Sequence, residues 1–146
     1  MERILVTVTG GTTEDLGALA RGICLARRIG AHLYVVGLER PTEHRGEEPY
    51  RLVPASEVGE RMHMLIEGAR GDGVSVSTYI LRGNPEEGIL AFCREHRVTL
   101  WIVGVPGRQR RKHHQAMMWV HSLRHKLGCS VEMVRPKSEI FRKESR

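Results

Sequence analysis

Three pieces of one stretch decide the fold: Arg82-Gly83-Asn84-Pro85, Leu100-Trp101-Ile102-Val103-Gly104-Val105-Pro106-Gly107 and Ser130-Val131-Glu132-Met133-Val134. In the first, a glycine turn leads to Pro85, which sits well in the first turn of a helix. The second is a buried strand that breaks into a glycine-punctuated turn, followed by the basic run Arg108 to His114. The third is a short strand after another helical pattern. Strand, helix, strand, helix, strand is the signature of a parallel sheet covered by helices. In such sheets the turn after a strand is where anions bind, because backbone N–H groups and a helix N-terminus face the ligand.

The N-terminal half continues the alternation. Ile4-Leu5-Val6-Thr7-Val8 is a β-branched run that reads as a buried strand. Thr9-Gly10-Gly11-Thr12-Thr13 forms the turn, with Thr12 or Thr13 as helix N-cap and Glu14 and Asp15 favourable in the first helical turn. Leu16, Leu19, Ala20 and Ile23 repeat at helical spacing, and Gly30 is placed to close the helix. Leu33 to Leu38 is the second strand, and residues 39–54 read as a long polar loop. A helix from about Ser56 to Arg70 carries Val58, Met62, Leu65 and Ile66 on one face, and Val74 to Leu81 is the third strand. Ile89, Leu90 and Cys93 face inward on the helix that Pro85 opens. Ala116, Trp119, Val120, Leu123 and Leu127 give the last helix its apolar face. The expected architecture is α/β: an open five-stranded parallel sheet, order 3-2-1-4-5, with two helices on each face. Residues 1–135 form the domain, and 136–146 a polar, basic tail.

Bulk properties narrow the function classes. The 146 residues, 40% apolar and 27% charged, suit one soluble domain. No apolar run approaches the roughly 20 residues of a membrane span, and the N-terminus enters a strand without a signal-peptide pattern, so a cytoplasmic location is expected. Cys24, Cys93 and Cys129 are too scattered for a zinc site or disulfide framework, and Cys24 and Cys93 are expected as buried thiols. The formal charge of +6 is concentrated in Arg108–His114 and in the tail, which fits an anionic ligand, an acidic protein partner or a solvated surface, and charge alone does not separate these. Aromatic content is 5% and no aromatics interleave with the basic loop, so nucleic acid is not an expected partner. His121 and His125 are four apart on one helix, but Arg124 and Lys126 flank them and no carboxylate or cysteine completes a set, so no metal is expected. Neither a catalytic triad nor paired carboxylates are legible, and the chain is expected not to be an enzyme.

From Arg3 to Arg135 the chain resembles the universal stress protein family. The resemblance is carried by Ile4-Leu5-Val6-Thr7-Val8-Thr9-Gly10, Leu25-Ala26-Arg27-Arg28-Ile29-Gly30-Ala31, Gly83-Asn84-Pro85, Ile102-Val103-Gly104 and Cys129-Ser130-Val131. It implies a Rossmann-like fold of the adenine nucleotide alpha hydrolase kind and a homodimer through the last strand. ATP-binding members carry Gly-x2-Gly-x9-Gly-Ser/Thr after strand four and an Asp at the end of strand one. Here Gly104 and Gly107 match the first half, and Met117-Met118 stands where Gly-Ser should follow. Thr9 replaces the Asp, and Leu38 the valine that meets the adenine.

The implied site therefore comprises Thr9, Gly10, Leu38, Gly104, Gly107, Arg108, Arg110, Met117 and Met118, in altered form. Two methionines offer bulk and no donor suited to an oxyanion. The missing carboxylate removes a charged hydrogen bond worth about 1.5–3 kcal/mol. The leading expectation is a sensor or adaptor domain with no resident cofactor, a degenerate nucleotide site and a basic anion-binding loop. A first alternative is a member that holds ATP or another adenine nucleotide, at low affinity. A second is an enzyme related to the ATP pyrophosphatases, whose Ser-Gly-Gly-x-Asp-Ser loop is weakly similar to Thr9–Thr13. That loop needs Asp-Ser where Thr13-Glu14 stands.

Overall fold

Short β-branched runs at the strand positions and capped amphipathic segments between them set the elements. A computed structural model describes residues 1–39, 56–108 and 110–136. In chain order they are β1 (Arg3–Val8), α1 (Thr13–Ile29), β2 (His32–Glu39), α2 (Glu57–Gly71), β3 (Val76–Arg82), α3 (Pro85–Glu95), β4 (Leu100–Gly104), α4 (His113–Arg124) and β5 (Ser130–Val134). All pairings are parallel, and the strand order is β3-β2-β1-β4-β5, as the alternation predicts. Most of the polar loop expected at 39–54, and the tail beyond Pro136, lie outside the described residues.

The helix ends follow local chemistry. Thr12, not Thr13, caps α1, and its Oγ1 accepts from the Asp15 amide at 3.2 Å. Gly30 ends the helix in the left-handed conformation, φ 69°, which a residue with a Cβ adopts only at a cost. Ser56 and Asn84 cap α2 and α3 in the same way as Thr12, and Pro85 opens α3. The last helix departs from expectation. It begins at His113 and ends at Arg124, so Leu127, expected on its apolar face, lies beyond it, and the Met117-Met118 pair sits in its second turn.

Strand pleating divides the core into two layers. Ile4, Val6, Val8, Leu33, Val35 and Ile102 pack under α1 and α2, with Leu19, Ile23, Met62 and Ile66 closing that side. On the other face Leu5, Tyr34, Val36, Trp101 and Val103 meet Ile89, Phe92, Val120 and Leu123 from α3 and α4. Two expected core positions are overturned. Cys24 is exposed on α1, and Leu65 is exposed on α2. Both lie where the surfaces of α1 and α2 diverge, beside Ala20, Met64 and Gly68. Helical periodicity places a residue on an apolar stripe but does not set how wide the neighbouring layer is.

Candidate functional site at the carboxyl end of the sheet

Strand order fixes the site's position. β1 lies between β2 and β4, and the chain leaves β1 and β4 toward opposite faces, through α1 and α4. The crevice between those two strand ends is the topological switch point of an open α/β sheet. The structure brings Thr9 and Gly10 to it from β1 and Gly104 from β4. Leu38 lies in the adjacent β2, while Gly107, Arg108 and Arg110 follow in the β4–α4 loop. Thr9 and Gly10 are exposed, Leu38 is half-buried and Gly107 is buried.

The β1 side of the crevice is closed by the chain's own carboxylate. Asp15, in the first turn of α1, is almost completely buried. Its Oδ2 accepts from the amides of Thr9 at 3.0 Å, Gly10 at 3.2 Å and Thr12 at 3.4 Å, and from the Thr9 hydroxyl at 3.4 Å. Burial raises the Asp15 pKa above the ordinary 3.8, opposed by the amide hydrogen bonds from Thr9, Thr12 and Gly10. The amides that a ligand would meet at the end of β1 are thus already paired. A sequence signal for this existed in Thr12-x-x-Asp15, a capping-box pattern. Nothing local said that the same oxygen would also reach back to Thr9 and Gly10.

Gly104 has a structural reason that precedes any ligand. A Cβ built there would stand 2.3 Å from the Glu14 carbonyl oxygen and 2.5 Å from its carbon. Only glycine lets the first turn of α1 come this close to the end of β4. The next residues are held tightly: Val105 donates to the Val134 carbonyl at 2.8 Å, and Arg110 to the Gly107 carbonyl at 2.9 Å. His113 Nδ1 donates to the Pro106 carbonyl at 2.8 Å, which assigns the proton to Nδ1, since a carbonyl only accepts. α4 has no side-chain N-cap and no acidic residue in its first turn, and Lys112, His113 and His114 stand at its positive end. Arg108, Arg110, Arg111 and Lys112 are exposed around that end.

The methionines take opposite roles. Met117 packs against the second core layer, while Met118 is 58% exposed. Both lie past the first four positions of α4, so their amides belong to the helix ladder and do not face the crevice. Among the described residues no group of three or more His, Cys, Asp or Glu side chains is arranged to hold a metal ion. Nor is any helix among them long and apolar enough to cross a membrane.

The model of the universal stress protein family matches residues 1–135. This chain belongs to that family. No curated protein matches it. Solved members of the family share its fold at low identity. A universal stress protein in complex with cAMP is 15% identical, with a TM-score of 0.67 over 93% of this chain and 98% of the other. A universal stress protein from Archaeoglobus fulgidus in complex with dAMP is 17% identical, with a TM-score of 0.63 over 92% and 98%. A family protein from Arabidopsis thaliana with AMP bound is 13% identical, with a TM-score of 0.55 over 95% and 94%.

Proposed function

We propose that this chain is a non-enzymatic sensor or adaptor domain of the universal stress protein family. Its nucleotide site is remodelled into a basic anion seat that does not hold ATP tightly. The observation that carries this reading is the Asp15 carboxylate, which takes the Thr9, Gly10 and Thr12 amides at the mouth of the crevice. A second anion placed there meets a buried acidic group rather than free donors. Met117 and Met118 add no phosphate donor. What remains is the β4 side, where Arg108, Arg110, Arg111 and Lys112 surround the positive end of α4. The ligand class that fits is a small phosphate-bearing molecule or an acidic protein surface.

A second reading is favoured by one observation: family structures carry cAMP, dAMP and AMP. A mononucleotide makes fewer phosphate contacts than ATP and so depends less on the positions lost here.

Calorimetry on the intact protein separates the readings. The first predicts ATP, AMP and cAMP all binding at millimolar strength or weaker, about −4 kcal/mol. It also predicts that binding of inorganic phosphate falls steeply with salt. Replacing Arg108, Arg110 and Arg111 together by Ala should abolish that phosphate binding. Micromolar ATP affinity overturns the proposal, and micromolar AMP or cAMP affinity with weak ATP installs the second reading.

A further inference from the structure

Away from the crevice, toward the amino-terminal end of the sheet, a group of rings joins α3 to β2 and β3. His32 and Tyr34 come from β2, Tyr79 from β3, Phe92 from α3, and His96 is the C-cap of that helix. Tyr34 pairs with Ser77 and Val36 with Tyr79, so the pleat turns Tyr34 and Tyr79 to the same face, the one α3 covers. The His96 ring centroid lies 4.1 Å from that of Phe92, 5.1 Å from Tyr34 and 5.4 Å from Tyr79, and His32 lies 4.5 Å from Tyr34. Tyr34 and Phe92 are buried, the two histidines half-buried, and Tyr79 is exposed.

The charge around these rings is one-sided. Arg3, at the start of β1, donates from Nη1 to the His96 carbonyl at 2.9 Å and so tethers the end of α3. Burial, then the neighbouring Arg3 and His96, hold the His32 pKa below the ordinary 6.5. His32 Nε2 lies 2.9 Å from the Ser77 hydroxyl, which donates to a neutral ring and accepts from a protonated one. The other groups at hand are the Tyr34 and Tyr79 phenols and Glu2, whose carboxylate accepts from the Thr99 hydroxyl. Arg94, Glu95 and Arg97, at the end of α3, are exposed.

We infer that the ring group is an acid-sensitive clasp: a proton taken up by His32 on mild acidification sets a second cation against Arg3, loosens Arg3 from the His96 carbonyl and lets the end of α3 lift from β2 and β3, uncovering Tyr34 and Phe92. The Ser77 bond serves both states of the ring, so the repulsion decides the outcome. A histidine held neutral in the closed form gives its full stabilisation above pH 6.5 and loses it as pH falls through that value toward the folded pKa. At pH 5.5 one such histidine raises the opening equilibrium by at most about tenfold, and a half-buried ring should give about threefold.

Hydrogen exchange on the intact protein at pH 7.5 and 5.5, corrected for the chemical exchange rate, reads the opening. The amides of His96 and Val98, which donate to the Phe92 and Cys93 carbonyls, should lose about threefold in protection at the lower pH. Val6 and Ile102, at the centre of the sheet, should keep theirs. His32→Gln cannot take up a proton and should abolish the loss, with circular dichroism at pH 7.5 checking that the variant is folded. An NMR titration of the unmodified protein needs no variant, and the His32 ring should titrate below 6.5. The inference is overturned if His96 and Val98 are equally protected at both pH values, or if Val6 and Ile102 lose as much protection as they do. It is equally overturned if the loss persists in folded His32→Gln, or if the His32 ring titrates at or above 6.5.

Discussion

Replacing Asp15 by Ala perturbs the crevice at its most connected atom. Oδ2 accepts three amides, and the Asp15 amide in turn donates to Thr12. Loss of a helix cap of this kind costs about 0.5–2 kcal/mol. Leaving the remaining loop amides without their charged acceptor adds about 1–3 kcal/mol, less what water recovers at the exposed Thr9 and Gly10. Against this, removing a buried carboxyl relieves its desolvation, which the raised pKa registers. The net expectation is a loss of about 2–3 kcal/mol. Unfolding entropy of about 2.1 cal/mol/K per residue gives a fall in Tm of about 3 °C per kcal/mol for a chain of this size, or 6–9 °C in all.

The pH dependence carries an independent signature. Because the folded pKa of Asp15 lies above 3.8, the group's contribution to stability is complete below that value and declines as pH rises through the folded pKa. Asp15→Asn removes that titration, so the unmodified protein should lose stability relative to Asp15→Asn as pH increases over this window. Calorimetric melts of the three proteins across acidic pH measure both effects. An Asp15→Ala melting shift below about 2 °C, or an unmodified protein that gains stability relative to Asp15→Asn as pH rises, would refute the account of Asp15 as the acceptor that closes the β1 loop.

Thr7→Val keeps the shape of a fully buried residue but removes the hydroxyl that accepts from Trp101 Nε1 at 3.1 Å. Chemical denaturation should show a loss of about 1–3 kcal/mol, since the indole N–H is left unpaired in the core. Gly104→Ala forces the end of β4 away from Glu14. A loss of at least 2 kcal/mol, about the cost of overpacking a core, should appear in the same assay. Thr9→Asp, which restores the carboxylate of the family's ATP binders, would sit beside Asp15 and should destabilise the protein. Adding Asp15→Asn should recover most of that loss, and a double-mutant cycle of stability measures the coupling. β5 is an edge strand of the sheet, and pairing with a second copy across a two-fold axis would satisfy its open side. Sedimentation at micromolar concentration should find a dimer, and a strict monomer removes that proposal without touching the fold.

The sheet order, the helix boundaries at Gly30 and Pro85 and the position of the crevice were legible in the sequence. Each rests on local chemistry: alternation of strand and helix, a left-handed cap, a proline in a first helical turn. The likeness of Gly104 and Gly107 to a phosphate loop was legible too, as was the replacement of its partner residues by Met117 and Met118. Tertiary structure decided the rest. Gly104 is required by the carbonyl of Glu14, a residue 90 positions away in sequence. Met117 is a core residue because α4 begins at His113, and a basic run with no N-cap residue gives no local mark of that boundary. Cys24 is exposed although it lies on an apolar stripe. Asp15 read as an ordinary first-turn acid, and its second set of partners exists only once β1 and α1 are folded back to back. Periodicity and capping act over a few residues, whereas close approach and a shared acceptor are properties of distance in space.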